Sequence, residues 1–195
     1  MTDRQLLQSY ADGRNVQAFD VFVDRHQGAL LSFAASFLRD ESLAQDVVQE
    51  AFFRAARYPK RILGATGGGA VERNWLLKVV RDLSIDNLRH RAVERKAATQ
   101  LRAAAAGRVE PSAEEGAERG ERNAQVRAAI ERLTPRLREL MILKVREQKS
   151  YKEIAQITGL SVTNVGFLLY QAMQALEKDL TEYISPRRHG DTEER

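Results

Sequence analysis

Asp46, Gln49, Glu50 and Phe53 stand at i, i+3, i+4 and i+7. On a helix that spacing gathers two carboxylates, an amide and an aromatic ring on one face. Acids so placed could belong to a metal site, a proton-transfer site or a docking patch. The first two need further ligands or bases nearby, but His26, His90 and His189 are scattered and the chain has no cysteine. No nucleophile, paired-carboxylate or metal spacing converges with the histidines, so neither an enzyme nor a metal centre is expected. Two readings stay open: a solvated face, the default for exposed charge, or a patch for a basic protein, which Phe53 among polar neighbours favours. Phosphate is excluded by the sign of the charge.

A second chemistry is carried by SYKEIAQITGLSVTNVGFLLYQAMQAL, Ser150 to Leu176. It reads as two helices joined at helix-turn-helix spacing, which makes DNA a candidate partner. Ile154, Ala155 and Ile157 should point inward, Gly159 should make the turn, and Ser161 is placed to cap the second helix. In that second helix Val162, Val165, Leu169, Ala172, Met173 and Leu176 form the expected inner stripe. Thr163, Asn164, Phe167, Tyr170, Gln171 and Gln174 are left outside. No charged residue lies between Ser161 and Leu176, whereas helices that enter a groove ordinarily bring Arg or Lys to phosphate and guanine. A plain two-helix packing unit is therefore the competing reading. The cations before it, Arg136, Arg138, Lys144, Arg146 and Lys149, could supply the missing attraction.

A third group is cationic. Arg73, Lys78 and Arg81, then Arg89, His90, Arg91, Arg95 and Lys96, follow an apolar series of Trp75, Leu76, Val79, Val80, Leu83 and Leu88. They form either a solvated basic face or a surface that tracks phosphates. Trp75, at the head of the stripe, is expected in the core. The preceding GATGGGA lacks the Gly-Lys-Ser/Thr ending of a phosphate-cradling loop. It reads as a mobile connector, and no cofactor is expected.

The elements that position these groups read as helices. Leu6, Leu7 and Tyr10 belong to a short amphipathic helix ended by Gly13, and a second apolar series runs from Phe19 to Leu38. Asp40, Glu41 and Ser42 cap a helix from Leu43 to about Tyr58, where Pro59 stops it and a loop follows. Thr134 and Pro135 open a later helix as cap and first helical residue. Between them, residues 97–123 degenerate into alanine, glycine, proline and mixed charge, a flexible linker, and SPRRHGDTEER is a polar tail. A chain of 195 residues with formal charge +4 and pI near 9.5 permits a nucleic-acid partner without requiring one. No apolar run approaches a membrane span, and MTDRQLLQSYADGR has no signal-peptide core, so a cytoplasmic protein is expected.

Taken together, ESLAQDVVQEAFFRAAR, NWLLKVVRDLSIDNLRHR and AIERLTPRLRELMILKVREQKSYKEIAQITGLSVTNVGFLLYQAMQAL resemble bacterial RNA polymerase sigma factors of the sigma-70 family, extracytoplasmic-function group. The resemblance implies an all-α protein of two small helical domains joined by a flexible linker: region 2, a helical bundle, over residues 1–96; the linker, 97–123; region 4, the helix-turn-helix, over 124–184; and a tail, 185–195. It implies that Asp46, Gln49, Glu50 and Phe53 bind core RNA polymerase. Arg73, Lys78, Arg81, Asp82, Arg89 and Arg91 would meet the minus-ten element of promoter DNA. Ser161, Asn164, Gly166, Phe167, Tyr170 and Gln171 would face the minus-thirty-five groove. Asp82 stands where the family often has asparagine, and Gly166, Leu168 and Gln171 where basic residues are common. An anti-sigma factor is a further implied partner. A stand-alone helix-turn-helix regulator that never joins polymerase is the alternative, and it has no need of the Asp46 to Phe53 face.

Overall fold

The computed structural model describes residues 1–65, 70–102, 128–130 and 132–184. All regular structure among them is helical, in two compact units, Met1–Glu110 and Pro111–Arg195. The first unit holds α1 (Asp3–Gly13), α2 (Val16–Leu38), α3 (Glu41–Arg57), α4 (Pro59–Leu63) and α5 (Val71–Arg102). Each of the first three starts on a residue whose side-chain oxygen takes up an orphan N–H of the first turn. The Thr2 hydroxyl accepts from Gln5 N–H at 3.2 Å, the Asn15 amide oxygen from Ala18 N–H at 3.2 Å, and the Asp40 carboxylate from Leu43 N–H at 3.0 Å.

α2 is the centre of this unit and packs against α1, α3 and α5. Phe22, Leu30, Phe33 and Ala34 of α2 are buried against Leu6 and Leu7 of α1, Val47, Ala51 and Phe52 of α3, and Leu76, Leu77 and Val80 of α5. Phe22 meets Phe52 edge-on, with ring centroids 6.5 Å apart at 85°. The same ring lies 4.9 Å from His26, whose Nε2 is 2.8 Å from the Asp3 carboxylate. Burial holds the His26 imidazole below its ordinary pKa; Asp3 pulls the other way, and Arg73 and Arg25 reinforce the lowering.

Two expectations change here. Pro59 ends α3, but instead of a loop it begins α4, because its fixed φ and missing N–H suit a first helical position. Ile62 and Leu63 of α4 are buried, and the Arg4 guanidinium donates to the Leu63 carbonyl at 2.7 Å. α5 continues to Arg102, past the expected linker start at 97, through KAATQLR, a run dominated by good helix formers. Residues 66–69 of the glycine connector, 103–123 of the linker and the tail, 185–195, lie outside the described residues.

The second unit holds α6 (Pro135–Met141), a π-helical turn (Ile142–Arg146), α7 (Tyr151–Thr158) and α8 (Val162–Ile184). Pro135 is the first residue of α6 as expected, but the Thr134 hydroxyl makes no capping bond; its carbonyl accepts from Arg138 N–H at 2.9 Å. The π-turn was not foreseen. Glu147 N–H reaches back to the Ile142 carbonyl at 3.0 Å and Lys149 N–H to that of Leu143 at 2.9 Å, with Gln148 left-handed at φ 52. Ser150 and Glu153 then form a reciprocal capping box at the start of α7. Gly159 turns the chain at φ 73, where a side chain would be strained. The Ser161 hydroxyl accepts from Asn164 N–H at 3.2 Å and starts α8.

α8 buries Val165, Leu169 and Ala172, a narrower stripe than expected. Met173 is 62% exposed although it lies only about 40° round the helix from the buried Leu169. Val162, in the first turn, is also exposed.

Candidate functional site

The outer face of α3 is built by contrast with its inner one. Ala44, Val47, Val48, Ala51, Phe52 and Ala55 are buried, which turns Asp46, Gln49, Glu50 and Phe53 to solvent. These four residues line one shallow concavity of about 230 Å³. Phe53 is 68% exposed, an unusual position for a phenyl ring with no polar group to solvate. Glu50 accepts from the Arg54 Nε–H at 2.7 Å, one turn on, and both side chains remain about half exposed. The structure therefore brings all four expected residues together. Chemically the patch can accept hydrogen bonds from arginine or lysine around a central apolar anchor.

The cations of α5 are not brought together in this way. At about 100° per residue, Lys78, Asp82 and Arg89 project within about 40° of one another, whereas Arg73 and Arg91 project about 160° away. Nor do they stand as bare charges. Asp82 takes both Lys78, at 3.2 Å, and Arg81, at 2.8 Å; Asp86 lies 3.5 Å from Arg89. Arg91 donates to Asp40 at 2.9 Å, tying α5 to the corner between α2 and α3. Asp40 is held below the ordinary carboxylate pKa chiefly by the Leu43 N–H and then by Arg91. Trp75 is half-buried and projects on the same side as Lys78 and Asp82, rather than lying in the core as expected.

On α8, Asn164, Phe167, Tyr170 and Gln171 are all exposed and share an arc of about 120°. Phe167 and Tyr170 are more than half exposed. Ser161 is spent on the cap, and Gly166 lies at the edge of the arc, where the Tyr151 ring covers it. A Cβ built there would sit 3.6 Å from that ring. Among the cations expected to surround this helix, Arg136 pairs with the buried Glu139 at 2.7 Å, Arg138 donates to the Ile130 and Leu133 carbonyls, and Lys149 is itself buried. Lys144 and Arg146 do face outward, the Lys144 ammonium 5.3 Å above the Tyr151 ring.

The family model for Sigma-70 region 2 matches residues 22–93, the span that carries the α3 and α5 faces, and that for Sigma-70, region 4 matches residues 123–176, the span that carries α7 and most of α8. The chain is 30% identical over 186 residues to the RNA polymerase sigma-H factor of Pseudomonas aeruginosa, covering 91% of this chain and 93% of that one. It is 27% identical over 169 residues to the probable ECF RNA polymerase sigma factor SigI of Mycobacterium tuberculosis, covering 84% of this chain but only 56% of the longer relative. Its fold is similar to that of the sigma factor RpoE solved in complex with the anti-sigma factor NepR from Bartonella quintana, with a TM-score of 0.67, 21% identity, and coverage of 84% of this chain and 96% of that one. The chain thus belongs to the sigma-70 family of RNA polymerase sigma factors, in its extracytoplasmic-function group.

Proposed function

We propose that this sigma factor holds core RNA polymerase through the outer face of α3 and directs initiation at promoters whose minus-ten element meets α5 and whose minus-thirty-five element meets α8. The observation that carries the reading is the α3 face: Asp46, Gln49 and Glu50 around an exposed Phe53, lining one concavity. A fold needs no such face, and neither does a regulator that works by its helix-turn-helix alone. It suits a basic surface of a large protein partner.

The two DNA faces divide the work differently. On α5, Asp82 braces Lys78 and Arg81, so these cations reach the opened strand already oriented and partly neutralised. On α8, Asn164 and Gln171 offer amide groups to base edges while Phe167 and Tyr170 offer apolar contact to thymine methyls. The protein acts by binding, with no covalent step of its own, and works where polymerase works, in the cytoplasm. No helix among the described residues is long and apolar enough to cross a membrane. An anti-sigma factor is a fitting regulator, since a protein of the same fold is held by one.

The test is transcription in vitro with purified core polymerase on a fragmented genomic library, comparing the unaltered chain with Asp46→Lys, Glu50→Lys. Discrete start sites that vanish with the double variant support the assignment. A double variant that initiates normally removes the α3 face from it.

A further inference from the structure

One guanidinium joins three elements of the first unit. Arg4, in the first turn of α1, donates to the Leu63 carbonyl at the end of α4 at 2.7 Å and lies 3.5 Å from the Glu72 carboxylate in the first turn of α5. Both partners suit a cation. The last carbonyls of a helix lack an internal donor, and an acid at a helix start, favoured there by the dipole, requires a counter-charge once it is buried. The Glu72 side chain is 9% exposed, and its one side-chain partner among the described residues is Arg4. The base on which Arg4 stands is itself fixed. Thr2 and Gln5 close a capping box around it, and its neighbour Asp3 meets both Arg25 and His26 of α2.

Leu63 and Glu72 flank the connector between α4 and α5. Four of the seven residues from Gly64 to Ala70 are glycine, a composition that dictates little about where the flanking helices stand. α4 packs chiefly against α1, and α1 packs against α2 and α4 but hardly against α5. Leu76, Leu77 and Val80 seat the body of α5 on α2 and α3, and Arg4 adds a polar tie at its first turn. That first turn leads directly to the face proposed to meet the minus-ten element. Trp75 stands about one turn beyond Glu72 and Lys78 about one turn beyond Trp75, on the same side.

We propose that Arg4 is a positioning residue for promoter opening: by holding the Leu63 carbonyl and the Glu72 carboxylate on one guanidinium, it sets the start of α5, and with it Trp75 and Lys78, in the arrangement that receives the opened strand. The assignment rests on the sigma-factor reading of α5. Arg4 itself touches no DNA. A helix start that is set beforehand has less freedom to lose on binding. Duplex phosphates form a fixed array, whereas an unpaired strand supplies no frame of its own, so the opened strand is the one that feels the loss.

The experiment uses holoenzyme assembled from core polymerase and the full chain. The promoter fragment is one recovered by in vitro transcription of a genomic library, supplied as intact duplex and as a probe single-stranded from the minus-ten element onward. Arg4→Ala should lower affinity for the opened probe about tenfold, or about 1.4 kcal/mol, the scale of one charge-assisted hydrogen bond. On intact duplex it should lower the permanganate reactivity of unpaired thymines at equal occupancy. Core affinity and the log–log salt slope should stay the same. Arg4→Lys, whose ammonium cannot fork to both partners, should recover only part of the loss. Arg4→Met, Glu72→Gln removes the stranded carboxylate, so it should regain stability to urea and still open the promoter poorly. Recovery of opening together with stability in that double variant overturns the proposal, because Arg4 would then serve the fold alone. A slope flattened by about 0.7 in Arg4→Ala overturns it by making Arg4 a phosphate contact, and so does unchanged affinity for the opened probe. If the unaltered holoenzyme itself forms no promoter complex, it is the sigma-factor reading that fails, so the two failures are distinguishable.

Discussion

Phe53→Ala separates the α3 face from the fold that carries it, because its neighbour Phe52 provides an internal control. Phe53 is 68% exposed and Phe52 is 8% exposed, one residue apart on the same helix. A phenylalanine can bury about 200 Å². The exposed share of Phe53 is therefore roughly 135 Å², which at about 25 cal/mol per Å² sets a ceiling of roughly 3.4 kcal/mol on what a partner could gain by covering it. An anchor ringed by polar groups that exclude water should deliver most of that, so truncation is expected to cost about 2 to 3 kcal/mol of core affinity, a rise in Kd of about 30- to 150-fold. The fold should scarcely notice, within about 0.5 kcal/mol, since the lost atoms touch little. Phe52→Ala should do the reverse and remove about 3 to 5 kcal/mol of folding stability, through loss of its contact with Phe22 and the cavity left behind. The assay is competition for core polymerase against a labelled unaltered chain, with urea unfolding run in parallel. Unchanged affinity for Phe53→Ala would refute the reasoning. A loss of affinity that merely tracked a loss of stability would refute it equally.

Gly166→Ala should stabilise the second unit by about 0.5 to 1 kcal/mol through helix propensity, since the new methyl would sit in ordinary contact with Tyr151; a fall in Tm would show the space to be tighter than that. Asp82→Asn should free Lys78 and Arg81 from their shared carboxylate, tightening promoter binding and steepening its salt slope by about 0.7 per phosphate newly met, and slopes compared with the unaltered holoenzyme decide the matter. His26 makes the stability of the first unit depend on pH. Its pKa in the folded state lies below the unfolded value near 6.5, so the unfolded chain binds the proton more readily. Its contribution to stability is full above that value and lost as pH falls through the folded pKa, with Asp3 opposing the loss and Arg25 and Arg73 reinforcing it. Urea unfolding at about pH 7.5 and pH 5.5 should show a drop that His26→Gln diminishes.

Local chemistry made much of this readable in advance. Asp40, Gly159 and Ser161 announce their roles because a cap or a left-handed turn is decided within a few residues. The α3 face was visible because apolar and polar positions separate cleanly at helical spacing. The pairing of the α5 cations was harder to see, because a list of basic residues conceals their carboxylates; Lys78 and Asp82, four apart, carry the signal of it. RYPKR from Arg57 to Arg61 likewise places an aromatic ring among cations beside the proline that ends α3. The exposure of Met173 depends on how wide a stripe α6 and α7 can cover, which a single helix does not reveal. Nor does anything in ILKVR signal a π-turn. Its bonds are completed beyond it, at Glu147 and Lys149.

That turn can also be described in the language of insertions. A π-turn carries one residue more than the α-helical path it interrupts, at about 100° and 1.5 Å per residue. Removing one residue between Ile142 and Arg146 would restore regular helix without touching the helix-turn-helix. Because the π-turn spends that residue without adding a turn, the segments on either side should keep nearly their present phase, and Asn164, Tyr170 and Gln171 nearly their present heading. The heading of α8 within its own unit is thus buffered against a one-residue change in this turn, and a single-codon deletion here should be tolerated better than one inside α8, where every later side chain would shift by about 100°.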